Sequence, residues 1–368
     1  MKSLARTLGL PLTLGLLIGG LSSPLSANPS DTLSVKSSPN NMGVRLFNSH
    51  NYEHAKKYFE QNLSKDSSDY ESNLVYLARI AIGNQDPKHA KKLIDSALKI
   101  SPNTAEEHEV AAQAYCLYAR NVSIFKALKF GKECGRHYNA AAEIEKHDHN
   151  MLRNAIHFHL EAPSIAGGSK ASARQYIAEL KALSEPASHI FDVLMLDQQD
   201  GESALEHASI YAKYDYHNPR YLYDLARFYR DKSQNSQALA LFERLLHRYS
   251  TKDGIAKSLK LSAEYDIYTN DEAQWFINDS LFQIGELLLA DDTQLEKSEE
   301  LLAKYIATNT DSFDPHYLWA RWSLAKNFYK QKKFTEFEKM VDHIESLEKL
   351  HHKDFKDIYK KERKSLEK

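Results

Sequence analysis

The sequence is poor in the residues that form turns, and it carries no large excess of charge. Only 13 glycines and 10 prolines occur among 368 residues, which is too few for the many tight turns of an all-β protein of this length. The formal net charge is −2, so no global basic field favours nucleic acid or an anionic membrane as a partner. Alanine, leucine, lysine and glutamate are abundant, and these residues favour helices. An all-α protein is therefore predicted.

Long hydrophobic runs are also absent after the first residues, which are predicted to be an export signal spanning 1–27. Lys2 and Arg6 precede an uncharged apolar run from Leu8 to Leu21, and small residues then lead to a cleavage site at Ala27. The run is shorter than the about 20 residues that a membrane span needs, which disfavours an uncleaved N-terminal anchor. The mature chain is expected in a periplasm or otherwise outside the cytoplasm, without a stable membrane span.

Cysteine is scarce, with only two residues, Cys116 and Cys134. Export permits a disulfide, but the helical register favours free thiols. Cys116 falls near the middle of one predicted helix and Cys134 late in the antiparallel helix after it, an offset of roughly 8–12 Å at about 1.5 Å per residue. A disulfide requires Cα atoms within about 7 Å of each other. Two buried free thiols are therefore expected.

The chain after the signal divides into three parts. Residues 28–41, rich in Ser, Asn and Pro, are predicted to be a flexible lead-in. Residues 42–348 carry a repeating pattern of helical hairpins, which is broken at 251–272, where a bend or an extra helix is expected. Residues 349–368 are rich in lysine and are predicted to form a C-terminal capping helix or tail.

The clearest repeat has the apolar spacing of a 34-residue unit of two antiparallel helices. Its signature residues are Leu74, Leu77, Ala78, Ala81, Ala90, Ile94, Ala97 and Pro102. Small residues let the two helices approach closely, larger apolar residues fill the remaining space, and the proline ends the second helix. A second good copy runs from Leu222 to Leu245, and the whole pattern predicts seven or eight hairpins.

This pattern resembles the tetratricopeptide repeat (TPR) superfamily over nearly all of the chain after the signal. One interrupted repeat, with the turn A-P-x-x-A-G-G at Ala162–Gly168, is similar to a repeat of some bacterial exported TPR proteins. The resemblance implies an all-α, right-handed α-solenoid of about seven to eight hairpins. It also implies a concave groove, lined by the first helix of each hairpin, that takes peptides or partner proteins.

The resemblance places a basic and aromatic set of side chains in this groove. The candidate partner-binding residues are Arg153, His157, Arg220, Tyr223, Arg227, Arg230, Trp322, Lys326 and Tyr329. Arginine binds carboxylates bidentately, although the paired Lys and Asn pattern of the TPR grooves that clamp acidic peptide termini is absent. The alternative interpretation is structural: Arg227 and Arg230 pair with acids of neighbouring repeats such as Asp197 or Glu206, and the tryptophans belong to the core between repeats.

The turn of the interrupted repeat is the second candidate site, with Pro163, Gly167, Gly168 and Lys170. Proline stops the preceding helix, and the two glycines permit positive φ. The glycine spacing of a phosphate-binding loop is missing, so nucleotide binding is excluded. The turn is either a packed structural turn or a loop that contacts a partner.

Catalytic and metal-binding signatures are missing. His157 and His159 are two residues apart, so they point to different faces of a helix, and two ligands without a third do not make a zinc site. No nucleophile–base motif occurs. A non-enzymatic protein without a cofactor is predicted.

These observations favour an exported scaffold or adaptor that binds a segment of a partner protein in its concave groove. The alternative is a periplasmic small-ligand-binding protein associated with a transporter, with a pocket near residues 162–170. A homo-oligomer with a purely structural role is a third possibility. The sequence does not identify the partner.

Overall fold

The structure is a computed structural model that describes residues 42–48, 51–100, 104–249, 254, 270–308, 316–347 and 353–366. These residues contain 17 α-helices and no strand. In chain order the helices are α1 Met42–Asn48, α2 Tyr52–Gln61, α3 Tyr70–Gly83, α4 Pro87–Ala97, α5 Ala105–Arg120, α6 Ile124–Ile144, α7 His149–Glu161, α8 Lys170–Leu183, α9 Glu185–Asp197, α10 Gly201–Tyr211, α11 Pro219–Asp231, α12 Asn235–Tyr249, α13 Asn270–Ala290, α14 Leu295–Thr308, α15 Tyr317–Lys330, α16 Phe334–Ser346 and α17 Lys353–Leu366. The predicted signal, the lead-in and nearly all of the predicted break at 251–272 lie outside the described residues.

Helices α1 to α16 pack in consecutive pairs as eight hairpins, and α17 follows as a single helix. First helices of neighbouring hairpins also contact each other, as α3 does with α5 and α11 with α13. Helix α13 packs on both α11 and α12, so the stacking continues past the segment at 251–269. The described chain is an all-α solenoid of helical hairpins, which confirms the predicted fold class.

Side-chain caps and left-handed residues set the ends of the helices. Thr104 and Glu107 form a reciprocal capping box at the start of α5. Three of the turns from a first helix to its second helix contain one residue with positive φ, Gln85, Ser233 or Lys332. A left-handed residue at this point ends the first helix and reverses the chain within a few residues. These three hairpins therefore share one turn geometry.

Small residues at the helix crossings form the centre of the core. Ala78 and Ala90 in one hairpin, and Ala226 and Ala238 in another, are completely buried. One apolar cluster extends from Phe47 to Leu288, and two further clusters continue the core to Tyr359. Each hairpin thus buries its apolar faces against its neighbours, as in other repeat proteins.

Cys116 and Cys134 form a disulfide, with Cα atoms 5.3 Å apart, so the prediction of two free thiols is wrong. That prediction assumed that residues equally far from the turn between α5 and α6 lie opposite each other. Helix α6 instead begins with two exposed residues, Ile124 and Phe125, 52% and 84% exposed. Its first turn projects past the end of α5, which shifts the register of the two helices and brings the cysteines opposite each other.

Candidate partner-binding groove

Acid–base contacts join the first helices of successive hairpins. Arg79 on α3 places its Nη2 atom 2.8 Å from Oε1 of Glu106 on α5. Arg220 on α11 places its Nη2 atom 3.6 Å from Oε1 of Glu272 on α13. In both cases a cation on one first helix meets a carboxylate on the next. We call this row of contacts between first helices the inner ladder.

The inner ladder is densest between α11 and α13. The Tyr223 hydroxyl donates to Oδ2 of Asp279 over 2.5 Å, and Arg227 Nη1 donates to the same hydroxyl over 3.2 Å. Gln283 Nε2 also donates to Asp279 over 2.9 Å, and His316 Nε2 lies 3.3 Å from its other oxygen. Burial and the neighbouring Asp279 carboxylate raise the pKa of Tyr223 well above its ordinary value. The hydroxyl therefore remains protonated and acts as a donor.

A longer contact ties α7 to α11. Arg153 forms an ion pair with Asp224, and its guanidinium lies 4.8 Å from the centre of the Phe191 ring, which belongs to the intervening α9. His149 lies close to this pair. Burial first, and then the charges of Arg153 and Arg220, lower the pKa of His149 to about 4. His149 is thus neutral at pH 7 and adds no charge to this region.

At the C-terminal end, α17 takes the place that a further first helix would have. Trp322 Nε1 donates to Glu362 over 2.7 Å, and Lys326 Nζ lies 3.4 Å from the same carboxylate. The Tyr329 hydroxyl donates to the carbonyl oxygen of Leu366 over 2.7 Å. As with Tyr223 and Asp279, an aromatic donor of a first helix binds an acid of a later helix; here the lysine lies on that acid as well, whereas Arg227 donates to the Tyr223 hydroxyl.

Trp322 is therefore too buried to line the groove, whereas partner binding by Lys326 and Tyr329, which are partly exposed, remains a prediction. Trp322 is 0% exposed, and all three side chains contact α17. The physical reason is the apolar face of the tail: Phe355 and Tyr359, one turn apart, are buried among residues of α15 and α16.

Arg153 and Tyr223 were also expected in the groove, but both are only 4% exposed. The contacts of Arg153 and Tyr223 hold first helices together. For these two residues the arrangement is therefore closer to the structural interpretation than to partner binding. The acids differ from those expected, since Asp197 contacts Lys232 over 2.5 Å rather than Arg227 or Arg230. Arg220 belongs to the ladder as well.

Two arginines of α11 retain donors that the ladder does not use. Arg227 Nε and Arg230 Nη1 are buried atoms with no hydrogen-bond partner among the described residues. Asp231, the next residue, is exposed to water, yet burial by the surrounding protein raises the pKa of its carboxyl against the opposing effect of both arginines.

His157 lies on α7, one turn after Arg153. Its Nδ1 atom is 3.3 Å from Oε1 of Glu161, and its ring meets the Phe191 ring edge-on at 4.9 Å. Partner binding by His157, Arg227 and Arg230 remains a prediction.

The turn of the interrupted repeat packs against α6. Residues Ser164–Ala166 form a short 3₁₀ helix, and Gly167 follows with φ 104°. A Cβ atom on Gly168 would lie 1.8 Å from the carbonyl oxygen of Ala162, so only glycine fits there. Lys170 and Ile165 are exposed. Gly167 and Gly168 therefore have a structural role in a packed turn.

The cleft beside this turn is open. It is lined by Leu128, Lys129, Lys132, Glu133 and Ile165. The cleft that would serve the small-ligand alternative is therefore open to solvent.

Metal binding has no candidate cluster in the part of the chain that the structure describes. No three or more His, Cys, Asp or Glu side chains converge there. None of the described helices combines the length and the apolar character that crossing a membrane requires.

The sequence prediction missed the acids of the inner ladder. Asp279 is the only charged residue between Trp275 and Gly285, and it is 1% exposed. A lone carboxylate in an otherwise uncharged, apolar stretch of helix must find hydrogen-bond donors once it is buried, and this signal was available in the sequence.

No protein-family model and no curated protein matches the chain. Among solved structures, a structure of Naa15/Naa10 bound to HypK-THB aligns with 14% identity and a TM-score of 0.25, covering 83% of this chain and 62% of the other. The crystal structure of yeast Tom70 aligns with 14% identity and a TM-score of 0.24, covering 88% of this chain and 95% of the other. The chain thus spans less than two thirds of the length of the Naa15/Naa10 chain that it matches.

Proposed function

We propose that the protein is an exported, non-enzymatic scaffold that binds an acidic segment of a partner protein against the concave face of α11. The residues that would contact the segment directly are Arg227 and Arg230. The observation that carries the proposal is the pair of buried guanidinium atoms, Arg227 Nε and Arg230 Nη1, without a partner among the described residues.

Unused arginine donors favour a carboxylate as the ligand. The other cations of this region already have acids: Arg153 contacts Asp224, and Arg220 contacts Glu272. Leaving a buried guanidinium donor without an acceptor costs about 1–3 kcal/mol. A carboxylate from a partner removes this cost and forms strong, charge-assisted hydrogen bonds.

The C-terminal helix supports this choice of ligand. On α15, an aromatic residue and a lysine together hold Glu362 of α17. A helix carrying a glutamate is therefore a segment that a first helix of this protein accommodates. By the same chemistry, a partner with an acidic side chain next to an apolar one fits α11.

The export part of the proposal rests on the sequence pattern of residues 1–27 and on the disulfide. Disulfides persist in the periplasm and in other oxidising compartments, and they are rare in the cytosol. The bond between Cys116 and Cys134 supports an oxidising location.

The test is recovery of a partner from a periplasmic extract by crosslinking to wild-type protein and to Arg227→Glu/Arg230→Glu. The matched control is Arg174→Glu/Lys213→Glu, which makes the same charge change at two exposed residues. The proposal expects the partner with wild type and with the control, and its loss with the α11 double variant. Recovery that is unchanged in the α11 variant contradicts the proposal.

A further inference from the structure

A second surface with a distinct composition lies at the start of α6. We call it the α6 patch and define it by Ile124, Phe125, Leu128 and Ile165. Phe125, at 84%, is the most exposed large hydrophobic residue in the described chain, and Ile124 and Ile165 are 52% and 62% exposed. Leu128 lies one turn after Ile124 and lines the open cleft together with Ile165. Exposed apolar side chains in one contiguous patch indicate a contact surface.

Three lysines surround the α6 patch. Lys126, Lys129 and Lys132 are exposed, and no carboxylate within ion-pair distance of any of them is found among the described residues. The carboxylate that lines the same cleft, Glu133, forms a salt bridge with Arg136 over 2.8 Å. The patch thus carries about three net positive charges in a chain whose formal net charge is −2.

The α6 patch lies on a projecting edge of the molecule, beside the open cleft. The first turn of α6 extends past the end of α5, as the register of the disulfide shows. Ile165 lies in the corresponding turn of the next hairpin, between α7 and α8. Turns that join the first to the second helix lie on one edge of a helical solenoid, so these apolar side chains point outward from the same edge.

We propose that the α6 patch binds the surface of a membrane that contains anionic phospholipids. Projecting aromatic and aliphatic side chains enter the boundary between headgroups and acyl chains, and the lysines pair with lipid phosphates. A yielding lipid surface accepts protruding side chains, whereas a protein partner needs a complementary pocket for each one. The charge of the patch fits anionic headgroups, and its shape fits a surface.

The experiment measures co-sedimentation with large vesicles of phosphatidylcholine alone and of phosphatidylcholine with 30% phosphatidylglycerol. It uses residues 28–368, because the apolar run at 8–21 would bind vesicles by itself and every described core residue lies within 47–359. Two patch variants are compared with wild type: Phe125→Ser/Ile165→Ser and Lys126→Glu/Lys129→Glu/Lys132→Glu. The matched control for the second is Lys57→Glu/Lys65→Glu/Lys339→Glu. Circular dichroism verifies that each variant is folded.

Wild type is expected to bind the anionic vesicles and not the neutral ones. The lysine variant is expected to bind at least about 100-fold more weakly, because each lysine near an anionic surface contributes about a fivefold factor and the new glutamates are repelled by that surface. The apolar variant should bind the anionic vesicles at least tenfold more weakly than wild type. The affinity of the control triple variant should remain within about threefold of wild type. Absence of wild-type binding to anionic vesicles overturns the proposal and would instead indicate that the patch binds a protein. An equal loss in the control triple variant overturns it as well.

Discussion

Helices α11 and α15 carry aromatic and basic residues at the same spacing, and on α15 all three of these residues contact a later helix of the same chain. On α15, Trp322 and Lys326 share Glu362, and the Tyr329 hydroxyl is bound by the end of α17. On α11, Tyr223 and Arg227 share the environment of Asp279. At the position equivalent to Tyr329, α11 has Arg230, which keeps a buried donor without a partner among the described residues.

This difference separates two roles that one sequence pattern combines. The aromatic residue and the first cation of each pattern join one hairpin to the next. On α11 the second cation, Arg230, does not take part in this contact between hairpins. It is therefore the position where we expect a ligand from outside the chain to bind. Substitutions on the two helices should therefore change different properties.

The largest expected effect follows truncation of Trp322, the buried residue of α15 that contacts α17. Trp322→Ala should lower the free energy of unfolding by about 4 kcal/mol, because the indole is completely buried and its loss leaves a cavity. Urea denaturation monitored by circular dichroism measures this change. Phe334→Ala, at a half-exposed ring, is the control and should cost about 1 kcal/mol or less. Equal costs for the two variants would show that α17 does not close this end.

The next effect concerns the ion pair that ties α7 to α11. Asp224→Ala leaves the buried guanidinium of Arg153 without its carboxylate, and should cost about 3 kcal/mol. The double variant Arg153→Met/Asp224→Leu should recover part of this loss, since it removes both charges. If the double variant is as unstable as the single one, the pair does not act as a unit. Urea denaturation gives both values.

Acid should loosen the α7–α11 region before the α15–α17 region. The folded-state pKa of His149 is about 4, below its ordinary value of 6.5, so the unfolded chain binds a proton that the folded chain does not. Stability therefore falls as the pH decreases from about 6.5 toward 4, by about 2 kcal/mol after allowance for partial exposure. Hydrogen exchange at pH 7 and pH 4.5 should show a larger loss of protection in α7 than in α15. His149→Gln should reduce this pH dependence, and an unchanged dependence would contradict the assignment.

The smallest effect is expected at Glu362, the carboxylate of α17 that contacts α15. Glu362→Gln keeps an acceptor for Trp322 Nε1 and loses only the charge opposite Lys326, so it should cost about 0.5 kcal/mol. Glu362→Ala, which also removes the acceptor, should cost more than the glutamine variant. The reverse order would exclude the hydrogen bond to Trp322 as the main contact.

The fold was predictable because the apolar period of the hairpins is local and strong. Ala78 and Ala90, assigned as close-packing residues from their spacing, are completely buried. The predicted site was less accurate, because position within a repeat specifies which side a residue faces and not what covers that side. Trp322 was assigned to the correct helix, but its cover comes from α17, 40 residues later in the chain. Such long-range partners have no local signal.

The disulfide shows the same limitation. The estimate of distance between Cys116 and Cys134 depended on where α6 begins relative to the end of α5. Helix lengths were approximate in the sequence prediction, and a shift of one turn moves a residue by about 5 Å along the axis. That shift is enough to change two separated thiols into a bonded pair.

The most direct measurement compares partner recovery and stability for Arg230→Glu and Lys326→Glu, which make the same charge change at the two helices. We expect Arg230→Glu to lose the crosslinked partner and to be destabilised less than Lys326→Glu, because Arg230 Nη1 has no hydrogen-bond partner among the described residues. Lys326→Glu should keep the partner and be destabilised, because the new carboxylate faces Glu362. Partner loss with Lys326→Glu and normal recovery with Arg230→Glu would contradict the assignment of the binding face to α11.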